Sequence, residues 1–182
     1  MATFFQGRWL RLRARVCVVG ISLCLAGVAF ADEQPAAPEQ VTAFSRLHDL
    51  TARATSHASE LVIRAMGMIG IRYKYGGTAP ENGLDCSGLV RYVFKDAWGA
   101  DLPRTSEEMS RVGEKVDTRN LQPGDLVFYN TLRHAFSHVG IYLGDNKFIH
   151  SPSPGGQVRI ESMDLSYWKK RFNGARRINE PE

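Results

Sequence analysis

LDCSGLVRYVFKDAWG, residues 84–99, is the stretch that decides the fold. Cys86, Leu89, Val90, Val93, Phe94 and Ala97 recur at helical spacing and share one face. Asp85 stands where an N-cap carboxylate would accept a first-turn N–H. Gly99 supplies the stop. The helix therefore opens on a cysteine. Thiolate is the reactive form of that side chain, and a helix N-terminus favours negative charge. The thiol is thus expected to ionise below its ordinary value of about 8.5. First-turn N–H groups have no partner inside the helix, so they can also hold an oxyanion beside the sulfur. Gly88 lets a neighbouring segment pack against this turn. The plainer reading is a small apolar cysteine on a buried face. The helix alone does not separate the two.

Outward from this helix, the elements sort by type. Leu61, Val62, Ala65, Met66 and Ile69 follow helical spacing, while 41–56 do so weakly. Residues 73–83 (YKYGGTAPENG) read as a Gly-rich loop. Thr105 and Glu108 form a capping-box pattern for a short helix. Pro123-Gly124-Asp125 reads as a turn, with Asp125 a turn residue. Strands are expected over 126–129, 137–143, 147–151, 157–161 and 171–178. Helices first and strands second imply an α+β fold, with helices packed on an antiparallel sheet of about five strands.

The N-terminus reads as a secretory signal over residues 1–31. Arg8, Arg11, Arg13 and Arg15 precede an apolar run from Val16 to Phe30, and Ala29-Phe30-Ala31 offers a cleavage site. The run is shorter than the ~20 residues a spanning helix needs, so no stable membrane insertion is expected after cleavage. A lipoprotein anchor at Cys24 is disfavoured by the large Leu23 before it. The full chain carries 23 basic and 19 acidic residues, a net charge of +4. Removing the four arginines of the signal leaves a neutral mature chain, which argues against nucleic acid as a partner. Residues 32–56 read as a linker and N-terminal extension, beginning with the Pro/Ala-rich DEQPAAPEQ, and one domain follows over 57–182. Cleavage also removes Cys17 and Cys24. Cys86 is then the single thiol of a chain exported to an oxidising compartment, the periplasm.

A thiol hydrolase needs a base within reach, and a third group to orient that base. His138 opens the strand SHVGIYLG, where Val139, Ile141 and Leu143 face the core and His138 points the other way. His150 ends the next strand. The two imidazoles can meet only if they share a face. A plain two-residue turn at Asp145-Asn146 would pair His150 with Ile141 and put the rings on opposite faces. A three-residue loop over Gly144-Asp145-Asn146 pairs Leu143 with Lys147 and sets His150 opposite Gly140. An odd-numbered loop, or a bulge that restores the same parity, is therefore expected. For either histidine alone, a hydrogen-bonded structural role is the commoner case. His134 lies four residues before His138 and suggests zinc only if 131–138 were helical, which it does not resemble; no metal or other cofactor is expected.

DCSGLVRYVF at 85–94, LPRTSEEM at 102–109, LQPGDLVFY at 121–129, SHVGIYLG at 137–144, FIHSPSP at 148–154 and YWKKRFNGARR at 167–177 together resemble the NlpC-type cell-wall cysteine endopeptidases. These have a papain-like fold, and the resemblance is nearest to the murein enzymes of Gram-negative bacteria. It runs from about residue 57 to 178. It implies a Cys–His–His triad of Cys86, His138 and His150, a tyrosine near the oxyanion at Tyr73, and substrate contacts at Asp85 and Ser87. Packing for Tyr73 and helix capping for Asp85 and Ser87 are the structural alternatives. The implied partner is the peptidoglycan stem peptide, and the implied state a monomer.

Two bonds fall within the resemblance. One joins D-glutamate to diaminopimelate, and the other is the diaminopimelate to D-alanine cross-link. The 167–177 block looks more like the cross-link enzymes. Its five basic residues between Lys169 and Arg177 otherwise read as a solvated face that could meet anionic murein. The competing functions are a non-catalytic wall-binding module and a thiol acyltransferase or amidase on the same fold. An intact Cys, His and His set argues against the first.

Overall fold

The computed structural model describes residues 39–131 and 134–179. Residues 1–31, expected to be a signal, and the start of the expected linker lie outside the described residues. Helix α1 spans Glu39–Met66. It runs unbroken through position 57, so the extension and the domain expected to meet there share one helix. Among the described residues no helix is long and apolar enough to cross a membrane.

The Gly-rich loop after α1 holds a two-residue ladder, β1 (Thr78–Ala79) against β2 (Gly83–Leu84). Helix α2 follows at Cys86–Trp98, with Asp85 as N-cap and Gly99 in the left-handed conformation at its end. The expected capping box is present on α3 (Ser106–Met109). There the Thr105 hydroxyl accepts from Glu108 N–H, and the Glu108 carboxylate accepts from Thr105 N–H. The remaining elements are β3 (Glu114–Val116), β4 (Leu126–Tyr129), β5 (His138–Gly144), β6 (Lys147–His150), β7 (Arg159–Ser162), α4 (Ser166–Lys169) and β8 (Phe172–Arg177).

The antiparallel sheet has six strands in the order β3-β8-β4-β5-β6-β7, one more than the sequence indicated. The extra strand, β3, is three residues at the sheet edge. Two of them are exposed, so no apolar alternation announced it. Side-chain alternation divides the core into two layers. Leu126, Phe128, Val139, Ile141 and Ile149 pack with Leu61 and Ala65 of α1 and Leu89, Val90, Val93 and Phe94 of α2. Val127, Tyr129, Tyr142, Phe148 and Ala175 pack with Trp168 on the other face.

Asp125 is more than a turn residue. Its buried carboxylate accepts from Arg177 Nε and Nη2, each at 2.8 Å, and from Gln122 N–H at 2.8 Å. Arg176 Nε donates to Ser110 O at 2.6 Å. Two of the five basic residues in the C-terminal block therefore fasten the last strand rather than form a solvated face.

The loop at Gly76-Gly77 clamps the start of α2. Gly76 N–H donates to Asp85 Oδ2 at 3.0 Å, and Asp85 N–H donates to Gly77 O at 3.2 Å. The chain passes so close that a Cβ on Gly88 would lie 2.0 Å from Gly77 O. The approach anticipated for Gly88 is thus a backbone contact, which cannot yield as a side-chain tip would. Gly88→Ala should destabilise the domain by about 1–3 kcal/mol, read as a lower midpoint in urea and in thermal melting. A variant with unchanged midpoints would show that the loop retreats freely.

Candidate functional site

The site forms where the first turn of α2 meets the start of β5. Cys86 is the free cysteine there and is partly accessible. Its sulfur faces the backbone N–H groups of Val139, Ser87 and Cys86 itself. Val139 is the residue after His138, so the thiol lies at the start of β5. The histidine lies on the sheet face opposite Val139 and Ile141, as alternation requires.

His138 Nε2 and His150 Nδ1 are 2.8 Å apart, with the rings edge to face. The parity that permits this comes from a bulge. Gly144 pairs with Lys147, and the two-residue turn Asp145-Asn146 has positive φ at both positions. The register then shifts between Tyr142 and Gly144, so that Ile141 faces Ile149. Leu143 is the extra residue. The expected three-residue loop is thus replaced by its equivalent in parity, a two-residue turn plus a bulge. His150 comes to lie against Gly140, where a Cβ would stand 3.2 Å from that of His150.

The imidazole pair is almost dry. His138 is 3% exposed and His150 0%. Trp168 stacks on His138 with centroids 5.7 Å apart and meets His150 edge-on at 5.1 Å. Tyr129 and Phe148 complete the enclosure. Burial holds both imidazoles well below their ordinary value; His150 adds to the effect on His138, and Arg159 adds to it on His150. Both rings are neutral near pH 7.

The thiol departs from expectation. Burial pushes the Cys86 thiol up, and the Asp85 carboxylate pushes it further; the three backbone N–H groups oppose them without prevailing. The helix N-terminus is present, but its stabilisation of thiolate is outweighed by lost water and an adjacent negative charge. No imidazolium assists, because the histidines are buried and neutral.

Asp85, Ser87 and Tyr73 all lie at this end of α2. Asp85 Oδ1 accepts from Gly88 N–H at 2.7 Å and from the Ser87 hydroxyl at 3.3 Å. Arg104, unremarked in the sequence, reaches both residues, with Nη2 2.5 Å from Asp85 Oδ2 and Nη1 2.7 Å from Ser87 Oγ. Asp85 is the helix N-cap, while the Ser87 hydroxyl bonds the side chains of Asp85 and Arg104. Tyr73 is held beside Leu84 by a bridge. Its hydroxyl is pushed up by burial first and by Cys86 and Asp85 next, which places it within the field of the thiol.

Three participants escaped the sequence reading. Arg104 sits in LPRTSEEM beside the capping box, where a lone arginine carries no signal. Trp168 sits in a basic stretch. Glu161 lies two residues along β7 from Arg159, which pairs with His150; only the register reveals that it shares the histidine's face. His134 is exposed in an irregular segment, and among the described residues no cluster of three or more His, Cys, Asp or Glu side chains could hold a metal ion.

An α+β domain that sets a thiol at a helix start against a buried imidazole pair is a candidate cysteine hydrolase. Residues 70–177 match the NlpC/P60 family, and the chain belongs to it. It is 44% identical over 120 residues to the gamma-DL-glutamyl hydrolase of Bacillus subtilis, covering 65% of this chain and 29% of that protein. It is 41% identical over 122 residues to the murein DD-endopeptidase MepH of Escherichia coli, covering 65% of this chain and 45% of that one. An NlpC/P60 family protein from Bacillus cereus superposes with a TM-score of 0.62 at 34% identity, covering 66% of this chain and 39% of the other. The chain thus spans less than half the length of these three relatives.

The raised thiol has a direct readout. Because the shift is upward, thiolate appears only as pH climbs past the thiol's ordinary value. Iodoacetamide alkylation of Cys86 should therefore have its pH midpoint above that value. A midpoint near neutrality would mean that a thiolate–imidazolium pair forms at rest.

Proposed function

We propose that this protein is a peptidoglycan endopeptidase that cleaves peptide bonds of murein stem peptides or their cross-links through a covalent thioester. The observation that carries this reading is the lone domain thiol at the start of α2, set at the β5 opening where His138 leans on His150 at 2.8 Å.

Cys86 is the nucleophile. His138 Nε2 is committed to His150, so Nδ1 is the nitrogen left to take the thiol proton as sulfur attacks the scissile carbonyl. The negative charge that develops on the carbonyl oxygen is met by N–H groups of the first turn of α2, with the Tyr73 hydroxyl as a second donor. His138 then returns its proton to the leaving amine, and the C–N bond breaks. Water, deprotonated by the same nitrogen, hydrolyses the thioester and frees Cys86. His150 orients His138 throughout. Asp85 and Ser87, cross-linked by Arg104, form the wall of the substrate groove beside the nucleophile; their contribution to peptide binding is shape and a fixed charge pattern.

Cys86→Ala should abolish release of muropeptide fragments from purified sacculi while retaining the folded thermal transition, since the change removes little volume. Mass spectrometry of the wild-type products assigns the bond. Loss of cross-linked dimers marks the diaminopimelate to D-alanine bond, and shortened stems mark the D-glutamate to diaminopimelate bond. Substantial lytic activity in folded Cys86→Ala protein overturns the mechanism.

The address belongs to the same proposal. The chain is exported, cleaved after Ala31 and active in the periplasm, which the arginine-led apolar run and its A-x-A site support. N-terminal sequencing of the exported protein should begin at Asp32; a start at an acylated Cys24 would make it a lipoprotein instead.

A further inference from the structure

His150 Nε2 is buried and has no hydrogen-bond partner in the protein. Its nearest anionic neighbour is Glu161, whose Oε1 lies 3.7 Å away. Glu161 does not stand there by chance of rotamer. Arg159 Nε donates to its Oε1 at 2.5 Å, and Trp168 Nε1 donates to its Oε2. Both of these donors also flank the imidazole pair: Arg159 pairs with His150 across β6 and β7, and Trp168 covers both rings.

The proton count of the pair gives this geometry its meaning. One hydrogen is shared between His138 Nε2 and His150 Nδ1. If His138 holds it, His138 Nδ1 is bare and can accept from Cys86, while His150 must carry its own hydrogen on Nε2. If His150 holds it on Nδ1, the neutral His138 carries its hydrogen on Nδ1 and has no lone pair for the thiol. Only the first arrangement is productive. It places an N–H on the unpartnered nitrogen of His150, 3.7 Å from an oxygen of a pinned carboxylate.

We propose that Glu161 is a positioning residue that selects the productive tautomer, extending the constellation to Cys86–His138–His150–Glu161. The inference rests on the reading of His138 as base. Three further groups act on the pair. Arg159 opposes protonation of His150, but its charge is compensated where it bonds Glu161. The buried hydroxyl of Tyr129 on β4 lies within the field of Glu161 and has no partner of its own. Cys86 supplies the proton. The Glu161 charge also favours protonated His138, against the burial that disfavours it. The same carboxylate that fixes the tautomer thus supports the imidazolium formed during attack.

The test is ¹⁵N NMR on protein labelled at histidine, which distinguishes protonated from bare ring nitrogens, combined with murein kinetics. In the native protein His138 should be bare at Nδ1 and His150 protonated at Nε2. Glu161→Gln removes the charge and keeps the shape. It should move population to His138 Nδ1–H and lower kcat by about ten- to a hundredfold, with KM within about twofold. Glu161→Asp, which keeps the charge one methylene further back, should recover part of both. Should Glu161→Gln fail to fold, Glu161→Asp carries the test, with an intermediate shift expected. Unchanged tautomers in folded Glu161→Gln overturn the proposal even if activity falls, since Glu161 would then be structural. The spectra need no substrate, so they report on the tautomer even if the murein reading fails.

Discussion

A hydrogen bond between two imidazoles in a dry layer of side chains makes demands on everything around it. His138 and His150 are each able to bond at two nitrogens, and burial removes water as a partner. They must therefore meet each other, which fixes the face of two strands. The face fixes the register, and the register requires one extra residue, Leu143, bulged from β5 before a turn that takes left-handed conformations at Asp145 and Asn146. A slip by one residue would exchange His138 with Val139 and break both core layers at once. Trp168, Tyr129 and Phe148 close around the pair. The aromatic layer and the reactive centre are one piece of structure.

The start of α2 carries a second, independent constraint. Asp85 caps the helix, anchors Gly76 and receives Arg104, all through one carboxylate. Gly77 and Gly88 allow the loop and helix to touch through backbone alone. This junction places Cys86, and β5 places His138. Helix α2 packs its buried face on the same strand that His138 opens, and the Cys86 sulfur reaches the N–H of Val139, the next residue along that strand.

Periodicity made much of this visible in sequence. The 3.6-residue face of α2, the alternation of VGIYLG and the parity of the hairpin each follow from local geometry, and they located Cys86, His138 and His150. What they could not carry is partnership across non-adjacent strands. Asp125 looked like a turn because its partner, Arg177, is 52 residues away. Arg104 and Glu161 are polar residues on short, partly buried segments, and only their partners give them meaning. The hidden β3 pairs with β8 across a separation no local pattern spans. The thiol was misjudged for a related reason. A helix terminus is readable from sequence, whereas burial and a facing carboxylate are properties of the assembled site.

The raised thiol bears on how the domain's one cysteine would survive the export proposed for this chain. Thiolate is the species that oxidants and disulfides attack. A cysteine ionised at rest would be consumed in the oxidising compartment that the proposed export implies. Here Asp85 and burial keep sulfur protonated, and a neutral His138 waits with its lone pair. On the proposed mechanism, the reactive form arises when substrate shields the site and sulfur attack draws the proton across to His138. Reactivity is tied to occupancy by the same two features, burial and Asp85, that cost the free thiol its acidity.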